Sequence, residues 1–143
     1  MQIVELNLND PIVPCNRSGA CDLAAVDEVV KAVRTAVRAP LAVKLPGLPE
    51  AAMGQAVDLL RRHRIEVFVC NTPQLAAFES AIGGALDLIE VGGVSNGKDA
   101  QGALSHGAKA VQIGSALMKE GPGVFARIQQ ELSAERMTHE TGA

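Results

Sequence analysis

Two short stretches of this chain join glycine to a small residue in a way suited to holding an anion: EVGGVSNGKDA, Glu90 to Ala100, and VQIGSALMKEGP, Val111 to Pro122. In each, an apolar run ends in Gly-Gly or Gly-Ser, and a helix-forming stretch follows. Backbone N–H groups left bare by small residues at such a junction make a phosphate cradle, which marks Gly92, Gly93, Gly114 and Ser115 as candidate phosphate contacts. Gly-Gly is also a common turn signal; recurrence in consecutive units is what favours the cradle. Lys44, in LAVKLPG, would be costly as an unpaired ammonium inside an apolar strand. It is expected to face a pocket, where it could hold an anion or stabilise negative charge on an electron-accepting ring. The alternative is an ion pair with Glu5 or Glu90. Asn71 and Thr72, in VFVCNTP, offer amide and hydroxyl contacts to a polar ligand or, equally, a helix cap.

The elements that must carry these residues alternate regularly. Ile3 to Leu8, Leu41 to Leu45, Val67 to Cys70, Leu86 to Val91 and Ala110 to Ile113 read as strands. Leu23 to Val37 places valines at helical spacing behind Asp22, a suitable N-cap. Pro49 to His63 has Met53, Val57 and Leu60 on one face, with proline suited to the first turn. Leu75 to Ile82 is closed by Gly83-Gly84 and Lys98 to His106 by Gly107, each glycine able to supply a left-handed C-cap. Pro122 to Arg136 forms the last helix, and residues 138–143 are expected to be a disordered tail.

The rhythm is β-α repeated five times, so the sheet should be parallel with helices outside it. A closed barrel of this type needs eight strands and about 250 residues; an open doubly wound sheet is the other arrangement. Polar residues recur at successive strand ends, Asn7, Asn9 and Asp10, then Lys44, then Asn71-Thr72, then the two glycine-bearing turns. Both architectures build their sites there.

Composition narrows the partners. With 48% apolar residues in 143, the chain suits one domain. Three Phe, no Trp and no Tyr provide little for stacking on bases. A net charge of -3 leaves no basic footprint for nucleic acid or anionic membrane, and no run approaches the length of a membrane span. A cytoplasmic location and a small-molecule ligand are expected. Cys15, Cys21 and Cys70 lack zinc-like spacing and read as reduced thiols. His63, His106 and His139 give no metal pattern, and the RRHR run, Arg61 to Arg64, reads as the solvated end of its helix.

Over most of its length the chain resembles the C-terminal part of dihydroorotate dehydrogenase, the FMN-dependent (β/α)8-barrel family of pyrimidine biosynthesis. VELNLNDPIVP is similar to the family's ELNLSCPNVP-type strand end, PLAVKLPG to its P-L-x-V-K-L-P strand, and VFVCNT to its strand-then-Asn segment. Most specific is GGVSNGKDAQGALSHGAKAVQIGSALMKEGPGVFARIQQEL, which resembles the family's closing segment throughout.

The resemblance implies a partial TIM barrel of about five βα units, with residues 1–137 as an FMN-binding domain. It implies that Lys44 contacts the flavin ring and that Gly92, Gly93, Gly114 and Ser115 hold the FMN phosphate. Asn7, Asn71 and Thr72 would bind dihydroorotate or orotate. In the family's reaction a base takes a proton from C5 of the substrate as hydride passes from C6 to the flavin, which then reduces a second acceptor. The family's base is a Cys or Ser, and Asp10 occupies that position here, while Ile12 stands where the family has Asn. The family is also longer between the Asn-Thr position and the Gly-Gly strand than Pro73 to Leu88, and it has three further βα units ahead of the matched part. A homo-oligomer or a second chain is therefore expected to cover the open strand edges. Two alternatives stand beside this one. One is a truncated, non-catalytic relative serving as a binding or interaction module; the other is a phosphate-binding isomerase or aldolase using Lys44 as base or Schiff-base amine.

Overall fold

The computed structural model describes residues 3–10 and 21–140; Ile12 and Cys15 lie outside them. Five parallel strands form one sheet in the order β1-β2-β3-β4-β5. They are β1 (Val4–Asn7), β2 (Leu41–Lys44), β3 (Val67–Asn71), β4 (Asp87–Val91) and β5 (Ala110–Gln112). The helices are α1 (Leu23–Ala36), α2 (Glu50–Arg62), α3 (Leu75–Ile82), α4 (Gly97–Ser105), α5 (Ser115–Glu120) and α6 (Gly123–Glu140). Spatial order equal to chain order is the pattern of a barrel wall; a doubly wound sheet reverses direction at a switch point. The fold is therefore a partial (β/α)8 barrel.

Local chemistry sets the boundaries. The Asp22 carboxylate accepts the N–H groups of Ala24 at 3.0 Å and Ala25 at 3.2 Å, capping α1. Gly83, with φ +55°, closes α3 in the left-handed conformation that side chains disfavour. One helix, α5, was not legible: its six residues sit between Gly114 and Gly121, too few for a periodic signal. The last helix continues past Arg136 to Glu140, so residues 138–140 are helical, not tail. The physical reason is that neither glycine nor proline interrupts the sequence between Gly123 and Gly142.

Strand alternation separates two faces. Leu41, Val43, Phe68, Cys70 and Leu88 pack into the core beneath α1, α2 and α3, with Val26, Val57, Leu60 and Phe78. The Phe68 and Phe78 rings lie 4.5 Å apart in a tilted pair. A smaller cluster of Val94, Ala100, Ala116, Val124 and Ile128 joins α4, α5 and α6. The intervening residues, among them Asn7, Lys44, Val69, Asn71 and Gln112, occupy the opposite, inner face. There the Gln112 side-chain amide donates to the Glu5 carboxylate, joining β5 to β1. In a flat sheet four spacings of about 4.8 Å would hold those strands roughly 19 Å apart, beyond the span of the two side chains. The sheet must curl, as a barrel wall does.

The RRHR run does more than end a helix in solvent. Arg61 donates to the Ile82 carbonyl at 2.9 Å, and His63 Nε2 lies 2.7 Å from Asp27 Oδ1, with Arg62 3.5 Å from the same oxygen. These bonds tie the end of α2 to both neighbouring helices. His63 has a side chain only 14% exposed.

Candidate functional site

The strand register assembles most of the expected residues along one rim of the inner face. Asn7 pairs with Lys44, Lys44 with Val69, Asn71 with Val91, and Val91 with Gln112. Lys44 is half-buried at the end of β2. Of its two expected carboxylate partners, Glu90 is excluded because it alternates onto the helix side with Leu88. Glu5 is engaged by Gln112. Among the described residues Lys44 forms no ion pair, which leaves its charge available to an anionic ligand.

The Asn7 side-chain oxygen accepts the Asn9 backbone N–H at 3.1 Å. This local turn fixes the carboxamide and leaves its NH2 group as the donor for a ligand. Asp10, half-buried, follows three residues beyond β1. Asn71 ends β3, and Thr72 begins the 3-10 turn Thr72–Gln74. The N-cap position of α3 lies beyond both, at Gln74. The Gln74 side chain instead accepts the Leu48 N–H at 3.0 Å and donates to the Leu48 carbonyl, bracing the β2–α2 loop against β3.

The two glycine-bearing turns meet. Gly92, Gly93, Val94 and Ser95 from one, with Gly114, Ser115 and Ala116 from the other, wall a cavity of about 350 Å³ that Gln112 and Lys119 also line. Gly92 and Gly93 have φ of +100° and +75°, a region that other side chains rarely adopt, so these positions require glycine. Gly114 differs, since its φ is −108° and an added Cβ would meet nothing within 4 Å. Glycine there keeps open a cradle that a side chain would fill. Bare backbone, a serine hydroxyl and the Lys119 ammonium fit a phosphate monoester. Lys119 escaped the sequence reading because α5 did; on that helix it falls one turn after Ser115.

A charged network holds this wall in place. The Arg127 guanidinium on α6 donates to both Glu120 carboxylate oxygens, at 2.8 and 3.0 Å, to Glu131 Oε1 at 2.7 Å and to the Ser95 carbonyl at 3.0 Å. Glu131 in turn accepts the Gly97 N–H at 2.7 Å. Hydrogen bonds from Arg127, then from Gly97, hold the Glu131 carboxyl below its ordinary range. Asn96 caps α4 through the Asp99 N–H at 2.9 Å, and Asp99 accepts the Ser95 N–H at 2.9 Å and hydroxyl at 2.8 Å. Those Ser95 bonds, the backbone one foremost, lower the Asp99 pKa. Among the described residues no group of three His, Cys, Asp or Glu is placed to hold a metal ion, and no helix is long and apolar enough to cross a membrane.

Comparison with known proteins places this geometry. Residues 71–136 match the dihydroorotate dehydrogenase family model. A Streptococcus agalactiae protein named for dihydroorotate dehydrogenase A (fumarate) is 27% identical over 165 aligned positions, covering 91% of this chain and 53% of that protein. The aligned stretch exceeds the 143 residues of this chain, so that relative carries insertions. The dihydroorotate dehydrogenase (quinone) of Xanthobacter autotrophicus is 44% identical over 64 residues, 45% of this chain and 18% of that one. The crystal structure of Eimeria tenella DHODH in complex with ferulenol superimposes with a TM-score of 0.74 at 17% identity, covering 90% of this chain and 48% of that one. The chain thus spans about half the length of the relatives it matches over most of its own.

Proposed function

We propose that this chain, a relative of the dihydroorotate dehydrogenases that corresponds to the C-terminal part of their barrel, forms the phosphate-holding and substrate-facing wall of an FMN-dependent site oxidising dihydroorotate to orotate. The observation that carries the reading is the single cavity walled by both glycine-bearing turns, beside a rim that presents Lys44 and Asn71. Gly92, Gly93, Gly114, Ser115 and Lys119 would hold the FMN phosphate. FMN, when bound, supplies a hydride acceptor. Lys44 would place positive charge against the electron-accepting ring, and Asn7, Asn71 and Thr72 would hold the substrate's amide and carboxylate edges. Asp10 is the candidate base for the substrate proton.

The sheet has edges at β1 and β5, and Ile3 and Val4 are 46% and 40% exposed. Further βα units, from a second copy or another polypeptide in a cytoplasmic assembly, would close the barrel and complete the pocket. The test is to purify the assembled protein, release its flavin and follow anaerobic bleaching by dihydroorotate. Bound FMN, lost in Gly93→Ala and weakened in Lys119→Ala, supports the reading; an assembled protein that stays colourless and takes up no FMN refutes it.

One observation favours a second reading, a non-catalytic relative: the base position holds Asp10, and a carboxylate is intrinsically a weaker base than a thiolate or alkoxide. FMN bound without dihydroorotate turnover, with turnover appearing in Asp10→Cys, would select that reading.

A further inference from the structure

A second cavity, of about 310 Å³, lies on the helix side of the sheet between α3 and α4. It is distinct from the phosphate cradle, with which it shares Gly93 and Val94 as lining residues. Leu75, Ala76, Val94 and Ala103 give it an apolar lining, and Glu90 reaches it from β4. Glu90 is 3% exposed and is the single buried charged residue among those described. Among the described residues no hydrogen-bond donor or cation is paired with its carboxylate. Its neighbour in register is Cys70, a buried thiol with no positive charge to offer.

The other ionisable groups of the lining are engaged elsewhere. Asp99 accepts both Ser95 donors, and His106 Nδ1 sits 2.7 Å from the Gly102 carbonyl. A carboxylate without a protein donor, on a buried residue and opening onto a largely apolar cavity, is the chemistry of a site for a cation. A hard metal ion does not fit, because it demands about six oxygen ligands and, beside Glu90, the ionisable groups of the lining are Asp99, engaged by Ser95, and His106. An organic cation does, since the volume exceeds that of an ammonium alone and the lining suits an aliphatic stem.

We propose that the α3–α4 cavity binds an alkylammonium or alkylguanidinium group, its charge on Glu90 and its stem against Leu75, Val94 and Ala103. The group can come from a free amine or from a lysine or arginine side chain of a partner polypeptide. The test titrates the 15N-labelled full chain with n-butylammonium, agmatine and N-acetyl-lysine-N′-methylamide, with 1-butanol as the neutral control. Saturable shifts at Val94, Ala76 and Ala103 are expected with the cations and not with 1-butanol. Glu90→Gln should weaken binding at least tenfold, and Ala103→Leu, which fills the cavity and keeps the carboxylate, should abolish it. Tighter binding of the blocked lysine than of the free amines assigns the group to a partner side chain, and the reverse order to a free amine. Absence of saturable shifts, equal response to 1-butanol, or unchanged binding in a folded Glu90→Gln chain overturns the proposal.

Discussion

Gly97→Ala isolates what holds the phosphate wall to the rest of the barrel. Gly97 is buried at the first position of α4, where α6 crosses it. An added Cβ would lie 2.5 Å from Glu131 Cβ, 2.5 Å from Leu132 N and 2.6 Å from Glu131 C, against ordinary contacts of 3.4–4 Å. Two of these atoms are α6 backbone, so no change of rotamer relieves the clash; α6 must move by about 1 Å to restore contact distances. That movement also pulls Glu131 from the Gly97 N–H and Arg127 from the Ser95 carbonyl. Overpacking against a fixed backbone costs about 1–3 kcal/mol, and the gain in helix propensity, at most about 1 kcal/mol in a helix interior, is smaller still at a first position. A net loss of about 2 kcal/mol is expected, which lowers the urea midpoint by roughly 1 M for a slope near 2 kcal/mol per M.

The control is Gly102→Ala in the same helix, where an added Cβ meets nothing within 4 Å. It should stabilise by about 0.5–1 kcal/mol. Urea unfolding of the three proteins gives opposite signs if close α4–α6 approach is what Gly97 serves. A Gly97→Ala midpoint at or above that of the parent refutes the reasoning.

Three further expectations follow from the same bonds. The hydrogen bond to His63 foremost, with Arg62 adding, holds the Asp27 carboxyl below its ordinary value; a carboxyl lowered on folding contributes stability above its unfolded pKa and loses it as pH falls through the folded one. Asp27→Asn should therefore be less stable than the parent at pH 6, the gap closing below about pH 3, and a gap that persists unchanged in acid counts against the pair. Burial foremost, with the Glu90 charge adding, pushes the Cys70 thiol up to about 12. Its neutral form is the stable one, so this contribution is present below the unfolded value and is lost between about pH 9 and 12. Iodoacetamide at pH 8 should leave Cys70 unmodified until urea unfolds the chain, as mass spectrometry of tryptic peptides would show. Asp22→Ala removes the α1 cap and should cost about 1 kcal/mol, with faster amide exchange at Ala24 and Ala25; exchange unchanged at both would show that the cap bonds carry no weight.

The repeat of strand and helix was legible because each unit carries its own local signal: β-branched runs, valines at helical spacing, Asp22 as cap and Gly83 as stop. α5 was not, because six residues between two glycines carry no period. Lys44 could be marked as a costly charge in an apolar strand, and its facing could not be read, since one residue of register exchanges the faces of the sheet. That same uncertainty hid the difference between Glu5 and Glu90. Both are carboxylates within strands, yet one joins the inner face and the other is sealed under the helices.

The sequence by itself determined the βα order, the glycines that their backbone angles require, and the resemblance carried by the closing segment. Tertiary structure alone decided that the sheet curls in chain order, that the two glycine-bearing turns wall one cavity, and that Glu90 is buried beneath α3 and α4. Caps and periodicities act within a few residues and are written locally. Curvature, facing and the meeting of turns some twenty residues apart depend on strand register and helix packing, which exist only once the chain has closed on itself.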